Sequence, residues 1–446
     1  MHFSSSGKIP FRLLLMIISL SCVLLVTGCD VKVNGQSYPK DTESFTLTEN
    51  IEDYSVFNQF SDLKTLDLTA LDISPSVFYS ISSQLNDSIQ VVWNVPVGNT
   101  KIPSDSATIE ITPETNLTDP SVIQYFNKLE TLRISSVPSS KLLLDVYKTA
   151  KETNPDVVFN CTTSVYGVEI NNETHFLNLN AAEIDDLSEL DYALEMLPNI
   201  KTVEICSCKL DNETIAAFRD KYSDRKVVWT VRFGKFAVRT DAQIFSTLAK
   251  IKYHELNSET LSPLFRYCTE LRALDLGHCE LTDISEITNL KHLHTLILAA
   301  NSISDASPIA ELKELNYIEI QYNRIKDATP FGELPKLEDL YIVENHGLKN
   351  IKAIANCKNL VRVDIAACGI GKGEYAVVRK MVPKNCKVKI EYYGGNNLKE
   401  WRRLNKKNSN IRKAFASWNT IKEFPDWQTT VNWDRDVYDF SKNYAE

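Results

Sequence analysis

The segment "LRALDLGHCEL" begins at Leu271, "LHTLILAANSI" at Leu293, "LNYIEIQYNRI" at Leu315, "LEDLYIVENHG" at Leu337 and "LVRVDIAACGI" at Leu360, at steps of 22, 22, 22 and 23 residues. All five fit L-x-x-L-x-L-x-x-N/C-x-L, and their middle positions alternate with the two-residue period of a short strand. Leu274 and Leu276 therefore turn inward together while Asp275 turns out. One such unit cannot bury its apolar side alone, so five in register imply strands stacked into a parallel sheet with a shared core. Position 9 turns the chain away from the strand. Asn301, Asn323 and Asn345 stand there, and Cys208, Cys279 and Cys368 take the same slot. A second ladder, Asp283, Asp305 and Asp327 followed by Asn350, precedes short segments such as "ISEI" and "ASPI". These positions read as N-caps of single helical or 3₁₀ turns on the convex side.

Upstream the period is longer. Strand-like runs end in a glycine turn four times: "VKVNG" at Gly35, "VVWNVPVG" at Gly98, "VVFNCTTSVYG" at Gly167 and "VVWTVRFG" at Gly234. A second short strand after each glycine makes a hairpin. Two repeat strands separated by a helix follow. The later strand of each pair reads "LKTLDL" from Leu63, "LETLRI" from Leu129, "IKTVEI" from Ile200 and "LRALDL" from Leu271. The earlier one is expected near Phe45–Leu47, Ile109–Ile111, Phe176–Leu179 and Tyr253–Leu256. Runs such as "ETIAAFRDKYSDRK" have helical apolar spacing.

These motifs resemble the leucine-rich-repeat family, most of all its bacterial internalin-like surface members. The resemblance is compact over 271–370 and looser over most of 41–392. It implies an α/β solenoid, a horseshoe with a parallel concave sheet, with composite long repeats carrying β-hairpin insertions over 41–270 and compact repeats over 271–392. It also implies no cofactor and binding through the concave face.

The N-terminus reads as an export signal. Lys8 and Arg12 precede the 14-residue apolar run Leu13–Val26, too short for the roughly 20 residues of a membrane-spanning helix. The run ends in Val26-Thr27-Gly28-Cys29, which resembles the bacterial lipobox. That resemblance implies a signal peptide over 1–29, lipidation of Cys29 and a tether over 30–40, in a protein that is extracytoplasmic and anchored to the bacterial cell membrane. At the other end, residues 393–446 leave the repeat pattern. Leu398, Trp401 and Leu404 form one helical stripe, and Ile411, Phe415 and Trp418 another, with Lys399, Arg402, Arg403, Lys406, Lys407, Arg412 and Lys413 on other faces. This reads as a helical cap over the last repeat. The same basic residues would also suit contact with anionic cell wall or lipid headgroups.

The formal net charge of −9 argues against general nucleic-acid binding, which needs a basic surface. Losing residues 1–29 removes Lys8 and Arg12 and no acid. No nucleophile elbow, phosphate loop, dinucleotide fingerprint or metal-spaced histidine pair occurs, so the expectation is a protein that is not an enzyme and holds no metal. Five of the cysteines, Cys208, Cys268, Cys279, Cys357 and Cys368, have repeat-defined places and read as structural thiols; Cys161 and Cys386 have no such place. His292 and His294 flank Leu293 and are expected to point away from the core.

The outward positions of the repeats define the candidate ligand face: Asp275, His278, Tyr317, Glu319, Tyr322, Tyr341 and Glu344. Tyrosines and acids cluster between 317 and 344, and aromatics with polar tips are frequent binding anchors. The expected function is that of a monomeric surface lipoprotein binding a protein or polysaccharide. A non-binding spacer of the cell envelope is the alternative.

Overall fold

Asn323 shows how one residue type holds successive repeats together. In a computed structural model of the chain, its Nδ2 donates to the carbonyl of Leu298 in the preceding repeat at 2.8 Å and to that of Ile320 in its own at 3.2 Å. Its Oδ1 accepts from the Ile303 N–H at 3.0 Å. Asn301 and Asn345 repeat the pattern, their Nδ2 atoms donating backward to Leu276 and Ile320 at 2.9 and 3.0 Å. Cys368 does part of this job, its Sγ donating to the Ile342 carbonyl at 3.2 Å. Each side chain satisfies buried backbone groups that the turn would otherwise orphan.

The structure describes residues 30–391, apart from 136–138, 181, 207, 234–235 and 247–252, with the side chains of 253–255 also left out. The signal peptide, Cys29 and the C-terminal cap lie outside the described residues. The described residues form two compact units, 30–134 with 145–159 and 135–144 with 160–391.

The second unit carries a seven-stranded parallel sheet in chain order: Ile244–Ser246, Ala273–Asp275, Thr295–Ile297, Tyr317–Glu319, Asp339–Tyr341, Arg362–Asp364 and Lys387–Lys389. Leu274, Leu296, Ile318, Leu340 and Val363 are direct partners across it, as the 22-residue step demands. All five are fully buried. The segments between strands are 3₁₀ helices at Ser285–Asn289, Ser307–Glu311, Thr329–Glu333 and Ile351–Asn356. Asp283, Asp305 and Asp327 each accept from the N–H two residues on, at 2.8 Å, but they stand one residue before the N-caps Ile284, Ala306 and Ala328, so the expected N-cap position is off by one. Asn350 differs: it sits at φ 57° and donates to Asp327.

One strand differs from expectation. The partner of Ala273–Asp275 is Ile244–Ser246, not the segment from Tyr253 to Leu256. The strand Tyr253–Asn257 pairs instead with Cys279–Glu280. The reason lies in the preceding hairpin. In every long unit the repeat strand starts a few residues after the hairpin closes, as at Ser44, Thr108 and Phe176, and Ile244 follows the hairpin strand Phe236–Arg239 in the same way. The same unit holds a shorter parallel sheet, Phe176–Asn178, Thr202–Glu204 and Lys226–Val228. The run "ETIAAFRDK" lies within the helix Asn212–Lys221, capped by Asp211.

The first unit holds the parallel sheet Ser44–Thr46, Thr65–Asp67 and Gln90–Val92, and the parallel pair Thr108–Ile111 with Thr131–Ser135. Antiparallel hairpins join Val31–Val33 to Gln36–Tyr38 and Asn94–Val97 to Thr100–Pro103. The second unit contains two more, Thr162–Val165 with Val168–Asn171 and Thr230–Phe233 with Phe236–Arg239. The expected turn glycines have positive φ at Gly35, Gly98 and Gly167; Gly234 lies outside the described residues. Gly98 is also sterically required, because a Cβ there would stand 2.0 Å from the Thr115 carbonyl oxygen.

Cys161 finds its place here. Trp93, Cys161 and Trp229 stand 68 residues apart at each step, each immediately before a hairpin, and all are buried. The backbone N–H of each donates to a side chain eleven residues later: Ser104, Asn172 and Thr240. Cys161 is thus a small occupant of the slot that tryptophan fills in its two counterparts.

Candidate functional site

The expected ligand residues fall on the seven-stranded sheet, on the face opposite the leucine ladder. Positions 3, 5 and 7 of each repeat share this face because strand side chains alternate. Position 8 is set apart by its backbone. His278, Ala300, Tyr322, Glu344 and Ala367 all have φ between 54° and 59°. This left-handed residue swings the chain out of the strand and lets position 9 turn back inside. The N–H groups of His278, Ala300, Tyr322 and Glu344 still reach the next repeat, as from His278 to Ala299 and from Tyr322 to Val343, at 2.8 and 3.0 Å. The left-handed bend carries the side chains at position 8 to the rim, where His278 is exposed, Tyr322 is 46% exposed and Glu344 is half-buried. Glu344 pairs with the exposed His346 at 2.9 Å.

The face behind this rim is not open. Tyr317 and Tyr341 are each 3% exposed and Glu319 is fully buried. Ile297, Ala299, Tyr317, Tyr341, Val343 and Ala366 form one buried apolar cluster. Polar groups are set within it. The Tyr317 hydroxyl donates to Glu319, and Arg362 Nε donates to Asp339 at 2.7 Å, both side chains buried. Asp364 is fully buried, and burial pushes its carboxyl up to about 6. Its Oδ1 accepts from the Ala366 N–H at 3.1 Å. Asp275 is half-buried, its carboxylate accepting from Ser246 and from the Gly277 N–H, both at 3.0 Å. Of the seven expected residues, the structure thus gathers His278, Tyr322 and Glu344 at an accessible rim and buries Tyr317, Glu319 and Tyr341.

Residues that the repeat pattern left unremarked form a second polar cluster farther up the same unit. Arg239 Nη2 donates to Glu204 Oε1 at 2.5 Å and Nε to Asp241 Oδ1 at 2.8 Å. Asn180 Nδ2 donates to Glu204 at 2.8 Å, and Asn180 Oδ1 accepts from the Cys206 N–H at 2.7 Å. The Arg239 hydrogen bond is the main force holding the Glu204 carboxyl below its ordinary range, against the effect of burial. Glu204 stands at position 5 of the repeat that begins at Ile200. Nothing in its own repeat signals the arginine, because Arg239 comes from the following hairpin. The cluster is saturated with internal partners and acts as a clamp between the hairpin and the sheet.

The eight described cysteines are free thiols. Burial pushes Cys161, Cys357, Cys368 and Cys386 up to about 11, so none is a ready thiolate. His294 is half-buried rather than fully outward, and burial lowers its pKa. Among the described residues no group of three His, Cys, Asp or Glu is arranged to hold a metal ion, and no helix is long and apolar enough to cross a membrane.

Residues 269–311 match the family model described as leucine rich repeats in two copies. Among solved structures, the chain is similar to internalin C2 of Listeria monocytogenes, at 18% identity over 66% of this chain and 85% of that one, with a TM-score of 0.27. It is similar to a second Listeria monocytogenes internalin, inlF, at 17% identity over 81% and 86%, with a TM-score of 0.29. A leucine-rich-repeat protein of Leptospira interrogans matches at 17% identity over 75% and 92%, with a TM-score of 0.26. The search of curated proteins finds no match.

Proposed function

We propose that this chain, in which residues 269–311 match leucine rich repeats, is an extracytoplasmic, lipid-anchored binding protein that captures a protein ligand along the rim of its compact repeats. The observation that carries this reading is the repeated left-handed bend at position 8. It presents His278, Tyr322 and Glu344 in successive register on a rigid sheet. Adjacent strands lie about 4.8 Å apart, so His278 and Tyr322, two strands apart, are roughly 10 Å from one another. An amphipathic tyrosine between an imidazole and a carboxylate suits a polar protein surface, and aromatic anchors of this kind dominate interface energies. No catalytic step belongs to the proposal. Anchoring rests on the charged start, apolar run and Val26-Thr27-Gly28-Cys29 of the sequence.

The test is capture of proteins from host and envelope extracts by the lipid-free Asp30–Glu446 form, against His278→Ala/Tyr322→Ala/Glu344→Ala in the same chain. Loss of a saturable ligand at unchanged melting temperature supports the rim; equal capture by both forms refutes it. The burial of Tyr317, Glu319 and Tyr341 favours one other reading, a non-binding spacer of the cell envelope. That reading predicts no saturable ligand for either form.

A further inference from the structure

The tether expected over 30–40 is instead folded. Val31–Val33 and Gln36–Tyr38 pair antiparallel, Val31 opposite Tyr38 and Val33 opposite Gln36, around Asn34 and Gly35 at φ 50° and 76°. The strand Val31–Val33 packs against the 3₁₀ helix Tyr54–Gln59. The ring of Tyr38 meets that of Phe45 edge-on at 4.8 Å. Just past the hairpin, the Lys40 carbonyl accepts from the Ser61 N–H at 2.8 Å. None of these contacts involves a residue before Asp30, and all their partners belong to the first unit. The hairpin is therefore a fixed part of that unit and not a linker. We propose that the open end of this hairpin lies against the lipid headgroups, so that the first unit is seated on the membrane with no slack between anchor and fold. The inference rests on the anchoring at Cys29 proposed above.

Covalent reach selects the lipid surface as the partner. Val31 follows Cys29 by two residues in the chain. Two residues at full extension span about 7 Å, which is close to the thickness of one headgroup layer, roughly 5–8 Å. A free tether over 30–40 would behave differently, with a root-mean-square reach of roughly 17–20 Å. The open end of the hairpin carries Asp30 and Lys40, both exposed, and the half-buried Tyr38. A tyrosine and a lysine at this level suit a boundary that is apolar on one side and wet on the other. Charge is not what draws the hairpin there. Residues 30–43 set Lys32 and Lys40 against Asp30, Asp41 and Glu43, with Glu43 already paired to Lys64 at 3.0 Å. A contact imposed by chain length is therefore indifferent to anionic lipid, whereas one held by basic residues strengthens with it. Seated in this way, the outer end of the first unit is closed to soluble partners.

The test uses the full chain, lipidated in cells and reconstituted in vesicles of phosphatidylcholine, or of phosphatidylcholine with phosphatidylglycerol. The photoreactive residue p-benzoylphenylalanine replaces the exposed Lys40, and mass spectrometry after irradiation reads phospholipid adducts on its peptide. Adducts are expected in equal yield in both vesicles. A flexible glycine–serine insert of about 20 residues between Asp30 and Val31, with a root-mean-square reach of roughly 25 Å, lowers the yield about fivefold while the protein still floats with the vesicles. Three results overturn the proposal in a protein that floats: no lipid adduct, the same yield with and without the insert, or adducts only with phosphatidylglycerol. The anchor is read separately, from the mass of the acylated N-terminal peptide and from flotation. An unacylated Cys29 overturns the anchoring itself and this proposal with it. None of these readouts involves a ligand of the rim, so the capture experiment stands or falls independently.

Discussion

Replacing Asn345 with alanine tests the ladder that joins the compact repeats. Asn345 is fully buried, and three backbone groups depend on it. The Ile325 N–H donates to its Oδ1 at 3.0 Å, and the carbonyls of Ile320 and Ile342 accept from its Nδ2 at 3.0 and 2.9 Å. Leaving a buried polar group without a partner costs about 1–3 kcal/mol. The Ile320 and Ile342 carbonyls each keep one donor, Asn323 Nδ2 and Cys368 Sγ, so the Ile325 N–H is the one group of the three left bare, and the two carbonyls lose the better of their donors. The expected loss is therefore about 3 kcal/mol. The control is Asn301→Ala, the same substitution where the residue is only half-buried and bulk water replaces the lost bonds; it costs about 1 kcal/mol. Asn345→Cys falls between the two. Cys368 in the same slot keeps the donation to the carbonyl of the preceding repeat but offers the next N–H only a weak sulfur acceptor. Urea unfolding followed by far-ultraviolet circular dichroism, with the slope shared across the series, gives all three values. Equal losses for Asn345→Ala and Asn301→Ala, or a loss below about 1 kcal/mol at Asn345, would refute the claim that buried backbone satisfaction binds the repeats.

Three other outcomes follow from the same structure. Gly98→Ala places a methyl 2.0 Å from a carbonyl at positive φ and lowers stability by about 3 kcal/mol or more, whereas Gly35→Ala, with open space around it, costs about 1 kcal/mol; differential scanning calorimetry separates them. Arg239→Ala leaves Glu204 and Asp241 buried without their cation and costs about 3–5 kcal/mol in urea unfolding, and a loss under about 1 kcal/mol would show that the clamp is not needed. Asp364 has a raised carboxyl pKa, so the folded state holds its proton more tightly than the unfolded state; its ionisation lowers stability as pH climbs from about 4 to about 6 and leaves the penalty in full above that. Asp364→Asn keeps the oxygen that accepts from Ala366, removes this decline and raises the melting temperature at pH 7 relative to pH 4; a pH profile parallel to the parent's would contradict the assignment.

The compact repeats could be read from the chain because their rules are local. A strand has a period of two, the repeat a period of 22 or 23, and each slot admits few residue types: an inward leucine at position 4, an amide or thiol at position 9, an aspartate where the 3₁₀ turn begins. Periodicity of that kind sets which residue stands beside which, and Leu274, Leu296, Ile318 and Leu340 align accordingly. The hairpin glycines were legible for the same reason, since a two-residue turn needs positive φ. The strand at Ile244–Ser246 was missed because the segment from Tyr253 to Leu256, apolar at its two ends, mimics a repeat strand, and only the pairing with Ala273–Asp275 tells the two apart. The position-8 bend also has no compositional signal: histidine, alanine, tyrosine, glutamate and alanine share it, because the demand comes from the asparagine ladder behind it rather than from the residue itself. Nor could the repeat assign burial to the front of the sheet. Alternation places Tyr317 and Tyr341 on that face, but whether water or protein meets them depends on contacts between segments that share no period with the repeats, and that is a property of packing over long distances in the chain.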